Sequence, residues 1–136
     1  MKKIISALAA ALAFVIATSA GAADNRVVIQ VSDNDSGKWN LALNNARNLQ
    51  TALGKDNVDI ELVAYGPGIA MLKADSLVGN RIEDAGKDGV RVVACENTMK
   101  NQKLVKDDML RGIAYAPAGV VQIMERQKQG WSYIRP

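Results

Sequence analysis

A single cysteine, Cys95, sits where the apolar run Val90 to Ala94 gives way to polar residues and lysines, in the stretch VRVVACENTMK. A thiol is a nucleophile only as its thiolate. Asn97 or Thr98 can cap a helix after the cysteine, and the free amides of a helix start favour the anion. Lys100 and Lys103 would add to this if they fold back toward the sulfur. Glu96 disfavours the thiolate if its carboxylate points at the sulfur, and is largely screened if it points to solvent. The plain alternative is a buried, inert thiol, since free cysteine is among the most buried residue types. With one cysteine an internal disulfide is excluded, which leaves burial, pairing with another molecule, or a reactive thiol.

The chain of 136 residues has no histidine. Every Ser-His-Asp and Cys-His nucleophile arrangement and every histidine-based zinc or copper site is thereby excluded. Asp33, Asn34 and Asp35 offer clustered oxygens to a hard cation, but without the rest of a calcium-loop pattern they read as turn and helix-capping residues. Ser36-Gly37-Lys38 lacks the earlier glycine of a phosphate-binding loop, Ser32 standing in its place. Tyr65-Gly66-Pro67-Gly68 could let backbone approach a ligand, although turn geometry alone explains it. Trp39 is either a pocket wall or a core aromatic, and Met71, Met99, Met109 and Met124 read as core or subunit-contact residues. No metal and no cofactor are expected.

The elements that must position these residues alternate. Arg26 to Ser32, Val58 to Ala64 and Val90 to Ala94 read as buried parallel strands, with a weaker strand at Ile113 to Tyr115 and a closing one at Trp131 to Ile134. Between them, Trp39, Ala42, Leu43, Ala46, Leu49 and Leu53 recur at helical spacing up to Gly54. Ile69 to Lys73, Leu77 to Lys87 and a segment running from Asn97 or Thr98 through Val105 read as shorter helices. Ala118 to Gln129 is a further helix, with Val120, Val121 and Met124 on one side. Strands and helices in this order predict an α/β domain, a three-layer α/β/α sandwich with a mainly parallel sheet. Right-handed connections bring the loops Asp33 to Gly37, Tyr65 to Gly68 and Cys95 to Thr98 to one edge, where open α/β sheets hold their ligands. The pocket candidates are Asp33, Asn34, Tyr65, Gly66, Glu96, Asn97 and Thr98, around Cys95.

The first residues have the layout of a secretory leader: Lys2 and Lys3, an apolar run from Ile4 to Ala17, and small residues Ala20 to Ala23. Cleavage after Ala22 or Ala23 is expected, leaving residues 24–136 as one domain in the periplasm or outside the cell. Removing Lys2 and Lys3 lowers the 17 basic residues to 15 against 14 acidic ones, so the formal charge falls from +3 to +1. With its charges interspersed, such a chain gives no reason to expect nucleic acid, or a membrane once the leader is gone.

From Arg26 to Pro136 the chain resembles the DsrE/DsrF-like family. The resemblance rests on VVIQVSDND followed by a helix, on VAYGPGIAML, on VRVVACENTMK and on the closing GWSYIRP, in that order. It implies a five-stranded parallel sheet between helix layers and assembly into trimers or hexamers. For Cys95 it implies the position that carries a persulfide in sulfur-relay members. The sequence departs from those members in its leader and in having no second cysteine to pass sulfur on internally. Two functions follow as expectations. In one, Cys95 binds or relays sulfane sulfur from a donor to an acceptor protein. In the other, a non-catalytic oligomeric module binds a small ligand or protein, with Cys95 buried and passive.

Overall fold

The computed structural model describes residues 23–136. Apart from residue 23, the expected leader lies outside the described residues. Five strands, β1 (Asn25–Val31), β2 (Val58–Ala64), β3 (Arg91–Cys95), β4 (Ala114–Ala116) and β5 (Ser132–Ile134), form one sheet in the order β4-β3-β2-β1-β5. All four pairings are parallel. The helices are α1 (Ser36–Leu53), α2 (Gly79–Lys87), α3 (Glu96–Asn101) and α4 (Gly119–Lys128).

Period-two alternation sorts the strand residues onto two faces. Val27, Ile29 and Val31 of β1, Ile60 and Leu62 of β2, and Val92 and Ala94 of β3 join one large cluster with Trp39, Leu43 and Ala46 of α1 and Ile82 of α2. Val28, Val63, Val93 and Ala116 face the other way and meet Ile123 of α4. The layers are therefore helices, sheet and a single helix. Each fully buried Ile or Leu on the thick side, such as Ile29 and Leu62 at 0% exposure, contributes roughly 1.5–3 kcal/mol of burial.

Local chemistry fixes the entry to α1. The Asp35 carboxylate accepts the Lys38 N–H at 3.0 Å, and Trp39 Nε1 donates to the Asp33 carbonyl at 2.8 Å. The helix thus begins three residues before the periodic stripe that predicted it, because the cap precedes the first apolar position. Val58–Ala64 lies where its pattern placed it. The expected helix at Ile69 to Lys73 is instead a 3₁₀ segment, Gly66–Leu72. Its Gly68 shows why a glycine is needed: a Cβ there would lie 2.3 Å from the Val31 carbonyl oxygen and 2.9 Å from the Ser32 Cα. At Gly68 the backbone of this loop approaches the end of β1.

From β1 to β4 the strands advance across the sheet in one direction. The chain then returns beneath the sheet through α4 to place β5 beside β1. The connections that leave the neighbouring strands β3 and β4 go to opposite faces, α3 to one and α4 to the other, the arrangement at which such sheets open a crevice at their carboxyl ends. Cys95 is the last residue of β3.

Candidate functional site: a thiol between two helix starts

Cys95 ends β3 and is itself the N-cap of α3, a place the sequence suggested for Asn97 or Thr98. The sulfur takes the role that an oxygen usually fills, accepting the Thr98 N–H at 3.4 Å. From the other side, the Gly119 N–H at the start of α4 donates to the same Sγ at 3.2 Å. No side chain caps α4, so this first amide is left to the sulfur. The Asn97 N–H bonds the Pro117 carbonyl at 3.1 Å and ties the start of α3 to the loop before α4.

Burial pushes the thiol pKa up, since Cys95 keeps only 4% of its surface. The Thr98 hydroxyl, the Thr98 and Gly119 amides and, with them, the Asn97 amide outweigh that penalty, and the thiol ionises below its ordinary value. Neutral donors therefore do what the sequence also offered to lysines: Lys100 and Lys103 are exposed and take no part in the shift. Glu96 is exposed too, and its charge acts elsewhere. At Tyr115 burial first, and then the Glu96 charge, raise the phenol.

The Thr98 hydroxyl extends the network. It accepts the Gly66 N–H at 2.9 Å, so its own proton is free to turn toward the sulfur. Gln102 closes the ring by donating to the Gly66 carbonyl at 3.3 Å. Tyr65 packs over Gly119, where an added Cβ would lie 3.0 Å from the Tyr65 Cβ and 3.3 Å from the Cys95 Cβ. Tyr65, Gly66, Asn97 and Thr98 are thus gathered at Cys95, with exposed Glu96 beside them.

Asp33 and Asn34 are not gathered there. Their loop follows β1, two strands away from β3, roughly 10 Å across the sheet. Asp33 pairs with Lys38 at 2.6 Å and shares a shallow cleft with Arg135 and Pro136. The Lys38 hydrogen bond holds its carboxyl below the usual value against the effect of burial, helped by the Lys38 and Arg135 charges. Asp35 is spent on the α1 cap, so the two carboxylates serve the turn. A groove of about 410 Å³ between α1 and α2, lined by Arg47, Gln50, Arg81 and Asp84 among others, includes no residue of the Cys95 network.

Residues 5–136 match the DsrE/DsrF-like family. The chain belongs to that family. Among solved structures it is similar to MTH1491 from Methanobacterium thermoautotrophicum, a protein of unknown function, at 38% identity and a TM-score of 0.79, covering 83% of this chain and 100% of that one. BT1422 from Bacteroides thetaiotaomicron, a conserved protein of unknown function, shares 17% identity with a TM-score of 0.68 over 82% of this chain and 95% of that one. The ychN protein of E. coli shares 13% identity with a TM-score of 0.66 over 82% and 98%. These last two bear on the fold alone. No curated protein matches the chain.

Sequence reasoning missed Gly119, whose only signal was its place after Pro117-Ala118 at a helix start. It also missed Glu61, a fully buried carboxylate in β2. The signal there was the second of two acidic residues in VDIELVA: Asp59 is exposed near the start of the strand, while Glu61 falls inside its buried run.

Proposed function

We propose that this DsrE/DsrF-like protein carries sulfane sulfur as a persulfide on Cys95. The observation that carries the reading is the convergence of the α3 and α4 starts on one sulfur, with the Thr98 and Gly119 amides donating to it. Such a site favours the thiolate without a general base, which suits a chain without histidine. The thiolate pair attacks the outer sulfur of a donor persulfide or polysulfide, or the sulfane sulfur of thiosulfate. A new S–S bond forms on Cys95 as the donor's S–S bond breaks, and its electron pair leaves on the donor thiolate or sulfite. No net oxidation occurs. Transfer to an acceptor thiolate reverses the same exchange, so a second cysteine within the chain is not required.

The same reading takes the protein as exported and as a homo-oligomer that meets its sulfur donor and acceptor in turn. The leader pattern of residues 1–23 supports the first part. Val120, Val121 and Met124, exposed together on α4, support the second. The 4% exposure of Cys95 favours the rival reading, in which the thiol is passive and the module only binds a ligand or partner.

Intact mass before and after incubation with polysulfide decides between them, with Cys95→Ser as control. Added mass of one or more sulfur atoms, removable by reductant and absent from the variant, is the expected result. A protein that stays unmodified sinks the persulfide reading and leaves the passive module.

A further inference from the structure

We propose that Glu61 is a positioning residue for Cys95: through Gln122 and Arg126 it holds α4 in the register that keeps the Gly119 N–H aimed at the Cys95 sulfur. The proposal rests on the reading of Cys95 as a reactive thiolate, and names the part of the fold that maintains it.

Glu61 lies in β2 on the side of the sheet that α4 covers, and is fully buried. Its carboxylate accepts the Gln122 amide at 2.5 Å and the Arg126 guanidinium at 2.7 and 3.1 Å; Arg91 of β3 approaches within 3.8 Å. Replacing a buried pair of this kind with apolar residues of similar volume is often neutral or stabilising, so stability alone does not call for it. Its neighbours Val28, Val63 and Val93 are already apolar. What the group adds is direction, because Gln122 donates to one carboxylate oxygen and Arg126 to the other, and hydrogen bonds to both oxygens from two turns of α4 fix the slide and rotation of a helix that apolar contact leaves loose.

Spacing connects this clamp to the thiol. Gly119, Gln122, Ile123 and Arg126 stand at i, i+3, i+4 and i+7, on one face of α4. Gly119 has no side chain with which to anchor itself, and the tight approach to Tyr65 and Cys95 permits none. With no side-chain cap either, its amide is held in place from the next two turns, and the polar grip there is on Glu61. The carboxylate itself is remote from the sulfur: Arg91 is its partner in register, and Cys95 is four residues further along β3, roughly 13 Å away.

That distance makes the sign of the effect diagnostic. Removing a negative charge while Arg126 and Arg91 remain would, acting through space, favour the thiolate and lower the Cys95 pKa. Loss of the aimed amide raises it. The test is the pH dependence of iodoacetamide alkylation of the full mature protein, with hydrogen exchange at the Gly119 and Thr98 amides, for wild type, Glu61→Gln and the charge-neutral Gln122→Leu. The expected result for Glu61→Gln is a midpoint raised by about one unit, or about tenfold slower alkylation at neutral pH. Gln122→Leu shifts in the same direction by less. In both variants Gly119 exchanges faster, while Thr98 is unchanged.

A folded Glu61→Gln with an unchanged or lowered midpoint, or with Gly119 exchanging no faster, overturns the proposal. If Glu61→Gln does not fold, an unchanged Gln122→Leu overturns it instead. Failure of the underlying reading shows separately as an ordinary midpoint in the wild type. Exchange at Gly119 then still decides what Glu61 does.

Discussion

The two faces of the sheet are built on opposite principles. On one, α1, α2 and the 3₁₀ segment bury Val27, Ile29, Leu62, Ile69, Met71 and Leu72 in a continuous apolar cluster. On the other, α4 covers the sheet with Ile123, beside Val28, Val63, Val93 and Ala116 and the rings of Tyr65 and Trp131, and a charged pair, Glu61 with Arg126, runs through that side. Apolar packing is non-directional and tolerates small shifts at little cost. A buried ion pair tolerates few, since each lost hydrogen bond strands a charge. The thick face therefore supplies most of the stability, while the thin face supplies orientation. By strand alternation Cys95 follows Val93 onto the thin side, at its open end.

Breaking each face in turn exposes that difference most strongly. Arg126→Met leaves the Glu61 carboxylate buried with the neutral Gln122 amide and the more distant Arg91 charge as its partners, and is expected to destabilise the fold by about 3–5 kcal/mol. Adding Glu61→Leu removes the stranded charge, and most of the loss is expected to return. Leu62→Ala on the other face opens a cavity at a comparable cost of about 2–5 kcal/mol. No second substitution of charge restores it. Urea unfolding of the four proteins measures both effects. A double variant no more stable than Arg126→Met would mean that the pair acts by shape rather than by charge.

The same contrast explains what was legible in the sequence. The thick face was readable because its rules are local. VDIELVA is a strand by composition, and the stripe from Trp39 to Leu53 has a helical period, so the sheet and its parallel sense followed. The loops after β2 and β3 were placed correctly at one edge because right-handed connections leave few choices. Asp33 and Asn34 were drawn into that pocket by the same rule, which names an edge without saying which strands are neighbours along it. With β2 between β1 and β3, their loop turned to Lys38 and Arg135. The thin face was unreadable because it is made by return. Gly119 meets Cys95 24 residues away, and Gln122 meets Glu61 61 residues away. Nothing local in VRVVACENTMK marks the cysteine as its own helix cap, since that role goes to an oxygen in nearly every familiar case.

A smaller effect separates the two helix starts at the sulfur. Thr98→Val deletes the hydroxyl that lowers the Cys95 pKa and leaves the Gly66 N–H without its acceptor, while the α4 side stays intact. The alkylation midpoint is expected to rise by up to about one unit. Thr98→Ser, which keeps the hydroxyl, is expected to restore it. Equal midpoints in the valine and serine variants would assign the work to the amides alone.

The smallest expected effect is a pH dependence of stability that belongs to the thin side's open end. In the folded chain the Cys95 thiol ionises below its ordinary value of 9.0. Between that depressed value and 9.0 the unfolded chain holds a proton that the folded chain has released, so stability rises with pH across the interval. The contribution is complete above 9.0 and is lost as pH falls through the folded value. Cys95→Ser has no such group, so the stability difference between wild type and variant should widen steadily as pH rises toward 9.0. The other displaced groups do not blur the comparison. Asp33 and Glu83, lowered from 3.8 and 4.5, titrate well below the interval, and Tyr115 and Lys87, raised from 10.0 and 10.5, titrate above it. All four are present in both proteins. Leu62→Ala, lying among apolar side chains, should shift stability by the same amount at every pH in the interval. A wild type whose advantage over Cys95→Ser stays flat from neutrality to 9.0 would mean that the fold does not prefer the thiolate, and that the two helix starts hold a thiol.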